Sequence, residues 1–454
     1  MKRIVATVGL AALGAASVQS ANAESALGGD GAKAWTISTS LRGFYDDNIN
    51  TTQTKQGSFG FEVSPTLTFE MSPTDQTDLS FAYTLGYKYY DKGITVGTNK
   101  TDNSSMTHTV AANLRHSFSE RTAFTFSDSF VIGQEPDLLQ RDFYGTFQYL
   151  SGDNIRNYVS AIVNHQLTRE VGLELGYANS FYDYDDNQFI LLSDDGSGTT
   201  SGVPNNPLTV FRASNSGLLD RSEHTIHLDA RWTLQPTTVV LAGYQFDFAD
   251  YTANQPIGVI TNSASPTNTV LYSDSRNSYS HYGYVGAEHT FRPDLTGSLR
   301  AGARYTDNYN SPDKSTSVGP YAMGSLRYRY TKDSHVEAGV SHDLHATDLF
   351  STRGPAGNRT TQNADSTVFF ATVTHQIFPD LTGTLGGQFQ YSTYNGGEYD
   401  NKSDRFYSIN AGLDYHINRH IAASVSYSYD KLESDVPARG YDRNRVFLGT
   451  TVTY

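Results

Sequence analysis

The sequence predicts an all-β protein, a single closed antiparallel transmembrane β-barrel of about 18 strands (16–18). Three observations support this prediction. Apolar residues recur at every second position in many segments, short turns alternate with long polar loops, and the last strand ends on an aromatic residue, Tyr454. A barrel across a bacterial outer membrane has this asymmetry, with tight turns on the periplasmic side and long loops outside.

The period of two is clear within single segments. In residues 59–71, Phe59 and Leu67 share one face, whereas Glu62 and Glu70 share the other. Successive side chains of a β-strand point to opposite faces, so each segment has one apolar and one polar face. A tilted strand needs about 9–11 residues to cross a membrane, which suits the roughly ten to fourteen residues of each segment.

The chain reverses direction within about three residues at several places. An even number of strands leaves both termini on the periplasmic side. A soluble β-propeller is the alternative, because strand pairs recur roughly every 40 residues. Propeller strands are shorter and packed on both faces, so the long alternation favours the barrel. The short turns are near residues 119–121, 168–170, 292–294, 379–380 and 418–420.

The N-terminus has the features of an export signal. Lys2 and Arg3 precede an apolar or small-residue stretch, and Ala21-Asn22-Ala23 supplies an A-x-A cleavage site. We therefore expect a signal peptide at 1–23 and an outer-membrane barrel domain at 24–454. Only about ten residues then precede the first strand, too few for the plug domain of a large gated transporter.

Composition narrows the partners. Removal of Lys2 and Arg3 leaves 31 of the 33 basic residues against 47 acidic ones, a net charge of −16. This charge argues against a nucleic acid partner. The 31 Tyr and 24 Phe suit the aromatic girdles that such barrels carry at both membrane interfaces.

A histidine recurs three or four residues before a short turn, at His116, His165, His289 and His375. A ring of metal ligands or pH sensors is one interpretation, and an interfacial girdle is the other. The histidines share parity with the apolar face and belong to strands far apart around the barrel, so they cannot converge on one ion. The girdle interpretation is favoured.

Motifs for catalysis are absent from the sequence. It contains no HExxH, no Gly-x-Ser-x-Gly, no Gly-rich phosphate loop and no cysteine. His342 and Asp343 are neighbours on a predicted strand, so their side chains point to opposite faces. The prediction is a protein that is not an enzyme, with no catalytic residue, cofactor or metal site.

Charged residues lie opposite the apolar stripe. Asp128 is the exception, because it shares parity with Phe124, Phe126 and Phe130, and a bulge or an early strand end is expected there. The arginines of the wall have two interpretations, a charged constriction that filters ions or ordinary salt bridges. The predicted lumen or constriction set is Arg42, Arg115, Asp229, Arg231, Glu288, Arg300, Arg304, Arg327, Arg329 and Glu337.

Two short motifs resemble a known family. Gly43-Phe44-Tyr45-Asp46-Asp47-Asn48-Ile49 and Tyr441-Asp442-Arg443-Asn444-Arg445-Val446-Phe447-Leu448-Gly449 are similar to the opening strand and the last hairpin of the β-barrel porin type 2 family of outer-membrane proteins. The resemblance covers essentially the whole mature chain as architecture. It implies a porin, a family associated in some members with exopolysaccharide secretion, and it carries over no catalytic residue.

The expected function is therefore a channel in the outer membrane for passive diffusion of small hydrophilic or weakly anionic solutes. The alternative is a barrel that secretes or anchors exopolysaccharide. Expected partners are outer-membrane lipid and lipopolysaccharide, the barrel assembly machinery, and the solutes or polysaccharide. Loops 133–156, 185–222 and 250–277 are candidates for occluding the pore. Phe447, Gly449, Val452 and Tyr454 resemble the signal by which the assembly machinery recognises its clients.

Overall fold

The computed structural model describes residues 34–96, 100–134, 152–186, 190–193, 208–260, 269–312, 314–350 and 360–454. The predicted signal peptide and most of the predicted loop 133–156 lie outside these residues. Within the described ranges, the chain contains no helix long and apolar enough to cross a membrane.

The principal sheet has 18 antiparallel strands, and each is hydrogen-bonded to the barrel strands that precede and follow it in the sequence. The first and last strands also pair, from Ser38 opposite Thr453 to Asp46 opposite Arg445, so the sheet closes into a barrel. The predicted fold and strand number are confirmed. The barrel strands are β1 (Trp35–Asp46), β2 (Ser58–Thr74), β3 (Thr77–Val96), β4 (Lys100–Ser119), β5 (Thr122–Gly133), β6 (Asn154–Gln166), β7 (Val171–Tyr184), β10 (Arg221–Gln235), β11 (Thr238–Tyr251), β14 (Ser278–Arg292), β15 (Leu295–Asp307), β16 (Thr316–Thr331), β17 (Ser334–Ala346), β18 (Asn363–Phe378), β19 (Leu381–Asn395), β20 (Ser403–Asn418), β21 (Ile421–Ser434) and β22 (Tyr441–Thr453).

Further elements lie in the loops between barrel strands, where the sequence pattern did not predict regular structure. Strands β8 (Ile190–Ser193) and β9 (Leu208–Arg212) pair with each other, as do β12 (Pro256–Ile260) and β13 (Thr269–Tyr272). A short helix, α1 (Asn215–Leu219), precedes β10 and is capped by the Ser214 hydroxyl, which accepts a hydrogen bond from Gly217 N. Two single-turn 3-10 helices are at Ser273–Arg276 and Gly397–Tyr399.

The two faces of the barrel differ as the alternation predicts. Leu41, Val285 and Leu448 expose 58%, 64% and 67% of their surface on the outside, where lipid replaces water. Every second residue points inward, and these residues are mostly polar. A charge on the lipid face costs up to about 2–4 kcal/mol at the midplane, which explains why the charges segregate to the inside.

Asp128 departs from this segregation, and the expected bulge or early strand end is wrong. Strand β5 continues to Gly133, and Asp128 stands opposite Ala112 on one side and Val159 on the other, in unbroken register. Asp128 therefore faces outward. The amide of Asn157 on the adjacent strand donates a hydrogen bond of 2.7 Å to its carboxylate, which lowers the cost of the polar group there.

The closing seam between β1 and β22 is held by the two segments that resemble the porin family. Arg443 Nε donates to Asp46 at 2.8 Å, and Asp47 accepts from the backbone N–H of Asn444 at 2.7 Å. Asn48 donates to the carbonyl of Asp442 at 2.9 Å. Both motifs therefore have a structural role, because their side chains clasp the first strand to the last.

Candidate functional site

The lumen has two halves with different linings. Inward residues near the short turns, the turn half, are mainly Ser, Thr, Gly and Ala and are partly exposed. Inward residues near the long loops, the loop half, include many large aromatic residues, and these are buried. Turn-half examples are Thr66, Thr84, Ser298, Ser325, Thr384, Ser424, Ser426 and Thr451. Loop-half examples are Tyr90, Tyr158, Tyr182, Tyr282, Tyr284, Tyr321, Phe370, Tyr394, Phe406 and Tyr441.

Arg300 and Asp229 form a buried pair at the middle of the wall. Arg300 Nη2 lies 3.3 Å from Asp229 Oδ2, and the Tyr284 hydroxyl donates to Asp229 Oδ1 at 2.6 Å. The Asp229 residue has no exposed surface, and Arg300 is 6% exposed. Gly243 leaves room for this contact, because a Cβ there would lie 2.2 Å from Asp229. The charge of Arg300 is therefore compensated.

A second group surrounds Arg231 on β10. Its Nη2 donates to Glu288 at 2.6 Å, and its Nη1 lies 3.7 Å from Glu174 Oε2. His227 Nε2 is 3.5 Å from the other oxygen of Glu174. The imidazole packs against Gly176, where a Cβ would lie only 1.9 Å from the ring. Glu174 and His227 were not predicted as site residues, although Glu174 lies on the inward parity of its strand.

Arg304 on β15 continues the charged wall toward the loops. It is 1% exposed, and its guanidinium lies 2.9 Å from Asp343 and 3.3 Å from Asp365. Gly319 on β16 gives it room, since a Cβ there would lie 2.8 Å from Nη2. On β1, Arg42 pairs in the same way with Glu62 at 2.7 Å.

The predicted constriction set therefore divides into two groups. Arg42, Arg231, Arg300 and Arg304 are paired with carboxylates, together with the predicted Asp229 and Glu288. Arg115, Arg327 and Arg329 lie in the turn half and are exposed, and Glu337 stands opposite Arg327 on the next strand. The structure does not bring Arg300 and Arg304 together with Arg327 and Arg329 at one level.

Loop residues cross the barrel mouth. The Arg276 guanidinium donates to the carbonyl of Leu218 at 2.7 Å, to that of Gln362 at 3.3 Å and to that of Thr347. Leu218 belongs to the loop before β10, and Thr347 to the loop after β17. Arg276 also lies over the Tyr251 ring, 4.6 Å from its centroid.

A second arginine continues this connection to the opposite wall. Arg439, in the loop before β22, contacts both oxygens of Asp348 at 2.7 and 3.2 Å and Asp404 at 2.9 Å. All three residues are buried. We call Leu218, Arg276, Thr347, Asp348, Arg439 and Asp404 the mouth strap. The sequence contains no signal for it, because five of its residues are scattered through separate polar loops and the sixth, Asp404, lies on β20.

The loop before β10 packs against the inner wall. Leu219 has no exposed surface and clusters with Tyr158, Tyr182 and Tyr184. Asp220 accepts a hydrogen bond from Tyr184 N at 2.7 Å. Burial raises the pKa of Asp220 to about 7, against a lowering by that hydrogen bond, and Asp183 nearby raises it as well.

The four residues proposed as an assembly signal do not share a face. Val452 and Tyr454 are exposed on the outside, and Tyr454 exchanges two backbone hydrogen bonds with Ile37 across the seam. Phe447 points inward against Phe44, with ring centroids 5.6 Å apart. Gly449 also lies on the inner face, where a Cβ would meet the Arg42 side chain at 2.4 Å.

A family model described as putative beta-barrel porin 2 matches residues 220–454, more than half of the chain. The chain belongs to this family. Together with the closed 18-strand barrel, this membership identifies a porin-like channel of the bacterial outer membrane. No curated protein that was compared matches the chain.

Solved structures that this chain resembles in fold include the following three. Acinetobacter baumannii OccAB4 is 12% identical, with 93% of this chain and 99% of that chain covered and a TM-score of 0.41. The outer membrane protein opdK from Pseudomonas aeruginosa is 10% identical, with 92% and 99% covered and a TM-score of 0.44. The siderophore receptor PirA from Acinetobacter baumannii is 8% identical, with 92% and 80% covered and a TM-score of 0.41. Likeness at this level carries no argument about solutes.

Proposed function

We propose that the channel passes small hydrophilic or weakly anionic solutes by passive diffusion, and that the loop half sets their size limit. The observation that supports this most directly is the contrast between the halves of the lumen. The turn half is lined by small polar side chains, whereas the loop half is filled by buried aromatic and ion-paired side chains beneath the mouth strap.

The charges support a modest preference for anions. The buried Arg300 and Arg304 are compensated by Asp229 and Asp343, and the half-buried Arg231, nearer the turns, is compensated by Glu288. Charges that remain exposed to a permeating ion include Arg115, Arg327 and Arg329 of the turn half, although Asp78 stands opposite Arg115 and Glu337 opposite Arg327 on the neighbouring strands. Exposed charges in a pore act on passing ions, but water and salt screen them, so the resulting selectivity is weak.

Conductance and solute uptake test this proposal. Purified protein in planar bilayers should open steady channels with weak anion preference, and proteoliposomes should swell in small sugars but not in large oligosaccharides. An Arg439→Gln variant, which weakens the mouth strap, should raise the size limit. Lack of conductance by both the wild type and the variant would refute the channel, and equal uptake of small and large sugars would refute the size limit.

Exopolysaccharide secretion is the second candidate. No feature of the described residues favours it over diffusion, and the mouth strap crosses the opening through which an extruded polymer would leave. Loss of surface polysaccharide on gene deletion, with normal solute uptake, would reverse this ranking.

We also propose that residues 1–23 are removed on export and that the last strand directs assembly together with the assembly machinery. The Tyr454 side chain is exposed on the outer face, whereas its backbone forms hydrogen bonds with Ile37 across the seam. The side chain can therefore contact the assembly machinery while the backbone closes the barrel. Deletion of Tyr454 should reduce the heat-modifiable barrel recovered from membranes. A Thr450→Ser variant on the same outward face is the control, and unchanged recovery after the deletion would refute the proposal.

A further inference from the structure

Eight of the thirteen histidines share one unusual arrangement. Each faces outward from the barrel, and its Nδ1 lies within hydrogen-bond distance of a Thr or Tyr hydroxyl on a nearby strand. His227, by contrast, points inward at Glu174, and His420 in a turn contacts the backbone carbonyl of Thr453. The eight pairs are His116–Thr77, His165–Thr122, His289–Thr238 and His375–Tyr330, and His108–Tyr83, His224–Tyr177, His281–Tyr244 and His342–Thr367, with distances of 2.6–2.9 Å.

The pairs form two rows at different heights. His116 and His108 lie on one strand eight residues apart, and His289 and His281 on another have the same separation. Trp232 and His224 repeat it on β10. Eight residues span about 26 Å along a strand and roughly 20 Å across a membrane at a tilt near 40°, close to the apolar band of about 25 Å.

The outward residues between the rows are apolar on these strands. They are Val110, Ala112 and Leu114 on β4, Ile226, Leu228 and Ala230 on β10, and Gly283, Val285 and Ala287 on β14. The histidines therefore mark the two edges of the apolar band. Only the row near the short turns was evident from the sequence, because the loops at the other end of the strands differ in length and contain no common turn that marks the second row.

The hydroxyl partner has a consequence for the chemistry of the ring. A neutral imidazole carries one N–H, and the atom that bears it depends on the hydrogen bond at the other nitrogen. A hydroxyl that donates to Nδ1 leaves the proton on Nε2, at the tip of the ring. In the other neutral form, with the proton on Nδ1, the outer nitrogen Nε2 would be a hydrogen-bond acceptor. It would then have no donor among the acyl-ester groups of the membrane interface, because these groups are only acceptors.

We propose that the eight hydroxyl partners hold these imidazoles in the Nε2–H form and that the two rows bind acyl-ester carbonyl oxygens of membrane lipids, with the exception of His224, whose Nε2 lies 3.2 Å from the Ser222 hydroxyl. The binding groups are neutral, so the contact is a hydrogen bond and not an ion pair. The two rows together set the depth of the barrel in the bilayer. The proposal concerns the lipid contact alone and does not depend on which solute passes the lumen.

Ester-linked and ether-linked lipids separate this proposal from a purely aromatic girdle. The wild type is refolded into vesicles of diester phosphatidylcholine or of its diether analogue with the same chains, and unfolding by urea is measured in both. The ether lipid lacks the carbonyls, so the unfolding equilibrium constant should rise at least about tenfold, since one hydrogen bond changes such a constant by roughly two- to tenfold.

The matched variant replaces His116, His165, His289 and His375 with Phe, which keeps aromatic rings at the interface and removes the donors. In this variant, the logarithm of the ratio between the unfolding constants in ether and ester lipid should fall to about half of its wild-type value or less, since one of two rows is lost. An inward His335→Phe variant is the control and should keep the full difference. Equal stability of the wild type in both lipids, or an undiminished difference in the four-fold variant, would overturn the proposal.

The protonation form has an independent measurement. Nitrogen-15 spectra of histidine-labelled barrel above pH 8 should show eight rings with the proton on Nε2. Replacement of Thr77, Thr122 and Thr238 by Val removes three hydroxyls, so the spectra of their three partner rings should shift toward a mixture of forms. Spectra with the proton on Nδ1 in the wild type would refute the hydroxyl-held form.

Discussion

The turn half and the loop half of the lumen are built from the same strands, with the same alternation of inward and outward side chains. The turn half is nevertheless lined by small, partly exposed residues, whereas the loop half is filled by large buried ones. The difference lies in the size of the inward side chains and in the loops above them. Near the turns, Ser298 and Ser325 face each other with hydroxyls 3.0 Å apart. Near the loops, Tyr282 and Tyr321 pack edge to face with centroids 5.4 Å apart.

This comparison shows that strand number determines only the maximum width of a barrel. The free path inside depends on what fills it. Buried charges in the loop half need partners, because an isolated charge out of water is costly. Exposed charges in the turn half have water as a partner. Equivalent substitutions in the two halves should therefore have very different effects.

The largest effect is expected for Arg439→Gln in the mouth strap. The change leaves Asp348 and Asp404 buried without their main cation, and breaking such a pair costs about 3–5 kcal/mol. The free energy of unfolding should fall by roughly this amount, and single-channel conductance should rise. Urea titration and planar-bilayer recording measure the two effects. Arg327→Gln in the turn half is the matched control, and equal effects of both variants would contradict the comparison.

A smaller loss is expected for Arg300→Gln at the middle of the wall. Asp229 would keep only the Tyr284 hydroxyl among the contacts described above, at a cost of about 2–3 kcal/mol in the free energy of unfolding. The double variant Arg300→Gln with Asp229→Asn removes both charges and should recover most of the loss. A double variant less stable than Arg300→Gln would show that the ion pair is not the cause.

The loop before β10 should loosen as pH rises. The folded pKa of Asp220 is raised to about 7, above its ordinary 3.8, so folding favours the protonated carboxyl. The resulting stabilisation is fully present below about pH 4 and is lost as pH rises toward 7, by roughly 2–4 kcal/mol at most. Amide hydrogen exchange of residues 214–220, corrected for the intrinsic rate, should accelerate over this range. An Asp220→Asn variant should show no such change, and a pH-independent wild type would contradict the expectation.

The smallest effect on stability is expected for the pair Arg327→Gln and Arg329→Gln. Both side chains are exposed in the turn half, so the free energy of unfolding should change by less than about 0.5 kcal/mol. The reversal potential in a salt gradient should nevertheless move toward cation preference. Neutral substitution of the nearby Ser325 by Ala is the control. An unmoved reversal potential would show that the turn half does not act on ions.

Much of the fold could be predicted because side-chain parity is a local property. The alternation from Phe59 to Met71 assigns an inside and an outside without any knowledge of neighbouring strands. The same parity placed Arg300 and Arg304 on the inner wall. It could not show that Asp229 and Asp343 neutralise them, because those contacts depend on register and on side-chain reach across the barrel.

Asp128 and the loops mark the limit of that reasoning. Parity correctly placed Asp128 on the lipid side. The carboxylate of Asp128 is compensated there by a hydrogen bond from Asn157 on another strand and not by a bulge. The mouth strap has no periodic signal at all. Its members lie up to 221 positions apart in the chain, from Leu218 to Arg439.

By itself the sequence predicted the closed barrel, a strand number of 16–18 and the polarity of each face, because these follow from a repeat of two residues and from the lengths of turns and loops. Only the tertiary structure decided that half of the lumen is filled, which arginines are compensated and which are free, and that loops meet across the mouth. These features depend on contacts between residues distant in the chain, where distance and burial decide whether a charge is paired.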